Sequence, residues 1–70
     1  MTNLKALRKA AGLTQFQLAR KSGVSRFRIG MAESEGLELR PGEIEAINGV
    51  IKSGIEKAMR LASEFQVEFS

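Results

Sequence analysis

The chain has no cysteine and no histidine. Without cysteine there is no disulfide framework and no thiolate cluster for zinc, and without histidine the commonest general base is missing as well. No nucleophile–base pair and no phosphate-cradling glycine loop takes their place, so an enzyme is not expected, nor a metal or a cofactor. Long apolar runs are also lacking. No stretch approaches the ~20 residues needed to span a bilayer, and no basic start, apolar core and small-residue cleavage site follow one another as in a secretory leader. A cytoplasmic protein without a membrane partner is expected, and no small-molecule ligand is evident.

Acid is absent from one half of the chain. Residues 1–30 carry Lys5, Arg8, Lys9, Arg20, Lys21, Arg26 and Arg28 and not a single carboxylate. Residues 31–70 reverse the balance, with Arg40, Lys52, Lys57 and Arg60 against Glu33, Glu35, Glu38, Glu43, Glu45, Glu56, Glu64 and Glu68. The net charge of +3 hides this split. One basic helix is usually a solvated face, but a basic half-chain points to a surface that meets a polyanion.

A length of 70 residues accommodates one domain with a thin core, because a chain this short buries only about 60% of the surface it exposes when unfolded. Its punctuation is helical. Thr2 or Asn3 can cap a first helix carrying Leu4, Leu7, Ala10 and Ala11, which Gly12 ends. Its other face carries Lys5, Arg8 and Lys9. Thr14 and Gln17 form a capping box for a second helix to about Ser22, with Leu13 and Leu18 at staple spacing. Gly23 supplies a left-handed turn, and Ser25 caps a third helix that runs to about Glu33 or Ser34 before Gly36 stops it. Pro41 opens a fourth helix with Ile44, Ile47, Val50 and Ile51 on one side, and Ser53 with Glu56 reads as the capping box of a fifth carrying Ile55, Ala58, Met59 and Ala62. The tail Phe65-Gln66-Val67-Glu68-Phe69 alternates like a strand, although Phe65 and Phe69 also share a face if the helix continues.

Two short helices meeting at a glycine turn make a helix-turn-helix unit from Thr14 to Glu33. Gly12-Leu13-Thr14-Gln15, Leu18-Ala19, Gly23-Val24-Ser25, Ile29 and Glu33 resemble the pattern of the Cro and lambda-repressor family of bacterial and phage regulators, over about residues 3–52. The resemblance implies an all-α, five-helix domain spanning residues 1–70, with the motif at about 14–33 and a dimerisation region at about 54–70. It implies a sequence-specific regulator of double-stranded DNA, a repressor acting as a homodimer on a palindromic operator. The alternative is the same fold retired to protein binding, of the antitoxin or antirepressor type.

In that family the helix after Ser25 lies in the major groove. Val24, Ile29 and Ala32 face inward. Arg26 with Gly30 and Phe27 with Met31 lie along the outer stripe and are the candidate base-reading residues. Arg26 suits the two acceptors of a guanine, or else a phosphate; Phe27 suits a thymine methyl group, or else packing on a neighbour; Met31 extends that strip or fills core. Gly30 suits a helix backbone lying close to the bases. The phosphate candidates are Gln15 at the start of the second helix, Arg20, Lys21 and Arg28 beside the groove, and Arg40 before Pro41. The resemblance pairs Arg8 with Glu33. Glu35 and Glu38 depart from the family, which often has a basic loop there. Ile55, Met59, Phe65, Val67 and Phe69 are the candidate dimer contacts, and lambda-type Cro proteins, which pair through a C-terminal strand, offer one way for the tail to act.

Overall fold

A computed structural model describes residues 3–66, all of them in helices or the loops between helices. The helices are α1 (Leu4–Ala10), α2 (Gln15–Ser22), α3 (Arg26–Ser34) and α4 (Pro41–Gln66). Each start is held by a side chain that satisfies the orphan N–H groups of a first turn. Asn3 Oδ1 accepts from the Ala6 N–H at 3.1 Å, and Ser25 Oγ accepts from the Arg28 N–H at 3.1 Å. Thr14 and Gln17 form the reciprocal box, each backbone N–H donating to the other side chain at 2.9 and 3.0 Å.

The turn between α2 and α3 has Gly23 at φ +78°, a conformation closed to most side chains, and its N–H donates to Ala19 O at 2.9 Å. The chain thereby reverses in two residues and brings Val24 and Ile29 onto Leu18. Leu18 and Ile29 are wholly buried, and Ala11, Val24, Ile47 and Ile51 complete the centre of the core. Leu4, Leu7, Leu13, Ala19, Leu39, Val50 and Ile55 pack around it. α4 thus closes the core from below, while the outer faces of α2 and α3 stay open.

The five-helix expectation is corrected here: there are four helices among the described residues, and the proposed fourth and fifth are one. Ser53 and Glu56 form no capping box; the helix passes through them unbroken. Ile47 and Ile51 are buried and Ile55 packs against the same core, so one continuous stripe holds both sides of Ser53 to the domain. Gly54 fixes the register. A Cβ there would stand 2.8 Å from both the Cβ and the carbonyl oxygen of Ala11, so the end of α1 lies directly against the α4 backbone. Leaving the helix at Ser53 would forfeit that contact.

Beyond Ile55 α4 leaves the domain. Residues 56–64 are all exposed, and most of the long dimension of 44 Å, against 19 Å in the other two, is accounted for by the 26-residue helix, ~39 Å at 1.5 Å per residue. The strand or helix expected of Val67 and Phe69 lies outside the described residues, as does the side chain of Phe65.

Candidate nucleic-acid interface

One buried ion pair organises the open face. Arg8 Nε donates to Glu33 Oε2 at 2.8 Å and Nη2 to Oε1 at 3.1 Å, while Nη1 donates to Leu13 O at 2.8 Å. The two side chains are only 9% and 3% exposed, so α1, the loop before α2 and the end of α3 are bolted together by a desolvated fork. Gln15 joins it, its Nε2 donating to Glu33 Oε1 at 3.0 Å. Burial pushes the Glu33 carboxyl upward, but the hydrogen bonds from Arg8 and Gln15 and the nearby charges of Arg8 and Lys5 outweigh it, and its pKa ends below the ordinary value. The same bond from Glu33 raises that of Arg8.

The bond to Glu33 aims the Gln15 amide along α3. As at any helix start, the Gln15 and Phe16 backbone N–H groups at the start of α2 have no intrahelical acceptors. Beside them opens a shallow depression of about 570 Å³ lined by Lys5, Gln15, Arg26, Phe27, Gly30, Met31, Glu33 and Ser34. All four residues expected to read bases are brought together in it, with Gln15 at its edge. Arg26 is exposed, and Phe27 is 74% exposed although it is a large apolar side chain.

The other expected phosphate residues are dispersed. Arg20 lies over the exposed ring of Phe16, 5.9 Å from its centroid. Lys21 lines a separate depression with Ser22, Gly42, Glu45, Ala46, Gly49 and Val50. Arg40 is exposed, and its backbone N–H donates to Glu43 Oε1 at 2.8 Å. Arg28 departs from the expectation of a free phosphate ligand. Its Nε and Nη2 donate to Glu43 Oε2 and Oε1 at 2.6 and 2.8 Å, so its fork is already filled by a carboxylate.

Glu43 is given no role by the sequence reading, although an acid three residues after Arg40 and two after Pro41 is the signature of a helix start. The hydrogen bonds from Arg28 and then from the Arg40 backbone hold its carboxyl down at a pKa of about 2. By sequence Lys5 shares one basic face of α1 with Arg8 and Lys9. The structure separates them: Arg8 is buried, and Lys5 stands at the depression. Of the dimer candidates, Ile55 packs on its own core and Met59 is 67% exposed.

A sharp two-helix turn, a second helix with its outer face open, and a carboxylate–arginine bolt behind it are an arrangement for presenting one helix to a groove. A helix-turn-helix family model matches residues 4–47, the whole of α1 to α3 and the first turns of α4. The chain belongs to this family. It is the Cro and lambda-repressor type of helix-turn-helix, a family of DNA-binding regulators. No curated protein and no solved structure matches the chain. Within the helix-turn-helix family the second helix of the motif is α3, and the match ends before the part of α4 that leaves the domain. No described helix is long and apolar enough to cross a membrane.

Proposed function

We propose that this helix-turn-helix protein is a sequence-specific, double-stranded-DNA-binding repressor that acts in the cytoplasm as a homodimer on a palindromic operator. The observation that carries the reading is the depression along α3 that gathers Arg26, Phe27, Gly30 and Met31 beside Gln15 and Lys5, its one carboxylate, Glu33, being held by Arg8. An exposed guanidinium at the start of a groove-inserted helix suits the O6 and N7 acceptors of guanine. Gln15, Lys5, Arg20, Lys21 and Arg40 supply the phosphate contacts, with the free N–H groups at the start of α2. Arg28, held by Glu43, orients α3 instead.

The reading of a second copy is supported by α4. Ala58, Met59, Leu61 and Ala62 continue the apolar stripe of Ile47, Ile51 and Ile55 past the edge of the domain, where none of the described residues covers them. A helical end standing clear of its core lacks the tertiary packing from which most helical stability comes. Antiparallel pairing of two such ends about a twofold axis puts Ala58 and Leu61 in the seam and Lys57 of each copy beside Glu64 of the other, so charge as well as shape is self-complementary. Two α3 helices one DNA turn apart, ~34 Å, then define a palindrome. Occupying such a site blocks a promoter, which needs no contact beyond those to DNA.

Selection from a random duplex library at about 50 and 200 mM salt tests the reading. A palindromic motif is expected at both, with affinity falling ~10³- to 10⁵-fold between them if 6 to 10 phosphates are neutralised. No enrichment at either salt would instead make Phe27 and Met31 a protein-binding patch.

A further inference from the structure

Nothing inside the protein accounts for Gly30. Its φ is not positive, so the backbone does not demand glycine. A Cβ built there would lie 3.8 and 3.9 Å from the Gln15 side-chain oxygen and nitrogen, which is ordinary contact, and alanine is the better helix former. What the missing side chain does is hollow the surface. Gly30 lies in the depression of about 570 Å³ with Phe27 and Met31 on one flank, Arg26 one turn earlier and the Gln15 amide beneath. The result is a notch flanked by the apolar side chains of Phe27 and Met31 and by the cations Arg26 and Lys5.

We propose that this notch seats the 5-methyl group of a thymine, while Arg26 takes a guanine about two base steps away. The inference rests on α3 being the groove-inserted helix. The thymine methyl is the only apolar group that the major groove displays among its donors and acceptors, so it is the group an apolar notch would select. Spacing agrees: four residues of helix rise ~6 Å, close to two base steps of ~3.4 Å. Gly30 is then a specificity-determining residue by virtue of the volume it leaves empty, and each half-site contains a thymine and a guanine at fixed separation.

The test uses the full chain and the duplex found by selection, with deoxyuridine replacing each thymine in turn, for the native protein and Gly30→Ala. One thymine in each half-site should lose about fourfold in affinity on becoming uridine, the worth of one buried methyl group. Gly30→Ala should bind the thymine duplex about tenfold more weakly with an unchanged or higher Tm, and should no longer distinguish thymine from uridine at that position, because the two methyl groups compete for one space. Uniform indifference to uridine, a Gly30→Ala protein that binds as tightly as the native one, or one that keeps its preference for thymine would each overturn the notch while leaving DNA binding intact. Failure to select any motif would remove both.

Discussion

Arg28 of α3 and Glu43 of α4 grip one another through two hydrogen bonds, Nε to Oε2 at 2.6 Å and Nη2 to Oε1 at 2.8 Å, with the side chains 31% and 18% exposed. The same carboxylate accepts the Arg40 backbone N–H at 2.8 Å. Glu43 therefore caps α4 and tethers the helix in front of it, and the direction in which α3 points depends on a residue outside the helix-turn-helix unit.

This relationship has a pH signature. The Glu43 pKa is lowered from 4.5 to about 2 in the folded protein, so its contribution to stability is complete above about pH 4.5 and is lost as pH falls towards 2. Glu33 is shifted the same way and adds to the loss. Thermal melts across pH 2–6 should show Tm falling over that window. Glu43→Gln should start a few degrees lower at neutral pH and show a shallower fall; an unaltered profile would deny the tether.

Arg8→Ala should be among the most damaging single changes. It leaves the Glu33 carboxylate, only 3% exposed, without its main partner, and breaking a buried pair this way costs about 3 kcal/mol. For a domain of this size that is a Tm drop of roughly 10–25 °C. Arg8→Leu with Glu33→Leu should recover much of the loss in calorimetry, since no charge is then stranded.

Gly54→Ala should destabilise for steric reasons alone. The added methyl would stand 2.8 Å from the Ala11 carbonyl oxygen, which is backbone and cannot rotate away, so α1 and α4 must separate. Overpacking of this kind costs ~1–3 kcal/mol. The same substitution at Gly30 should leave the melting curve where it is or raise it, which makes the two glycines a matched pair of controls in one denaturation experiment.

Binding measurements should divide the cations by role. Arg26→Ala should relax sequence preference by ~1–3 kcal/mol at one base pair per half-site, whereas Gln15→Ala should weaken all duplexes alike. Lys5→Ala should reduce the slope of log affinity against log salt by about 1. Arg28→Gln should leave that slope nearly unchanged, because its charge is already matched by Glu43; a full unit of loss would return Arg28 to the phosphate contacts.

Leu61→Glu tests the projecting end of α4. The residue is 48% exposed, so the fold should survive, and sedimentation at micromolar concentration should show a monomer where the native chain is expected to sediment as a dimer. Unchanged sedimentation would place the second copy elsewhere or nowhere.

Local chemistry was legible in the sequence wherever it acts over three or four residues. The box of Thr14 and Gln17, the Ser25 cap and the Gly23 turn fix where α2 and α3 begin and how they join, because each is a bond between near neighbours. The staple pairs and the spacing of Leu18, Val24 and Ile29 fix which faces turn inward, and so which side chains of α3 are left outside. The helix-turn-helix motif is of this kind, and the outward stripe of Arg26, Phe27, Gly30 and Met31 follows from it by geometry.

What local chemistry could not decide was which of two satisfactory local solutions the chain would take. Ser53 and Glu56 are a sound capping box, yet the helix runs through them because the core contacts of Ile47, Ile51 and Ile55 and the seating of Gly54 on Ala11 require one straight axis. Arg28 reads as a groove-side cation until a carboxylate fifteen residues later meets it. Lys5 and Arg8 are alike in sequence and opposite in fate, one at the open depression and one buried on Glu33. The starts of α1 to α4, the turns before α2 and α3 and the inward faces were determined by the sequence alone, because they depend on bonds within a turn. The length of α4 and the partners of each charge were decided by tertiary structure, because burial and distance across the core exist only once the chain has folded.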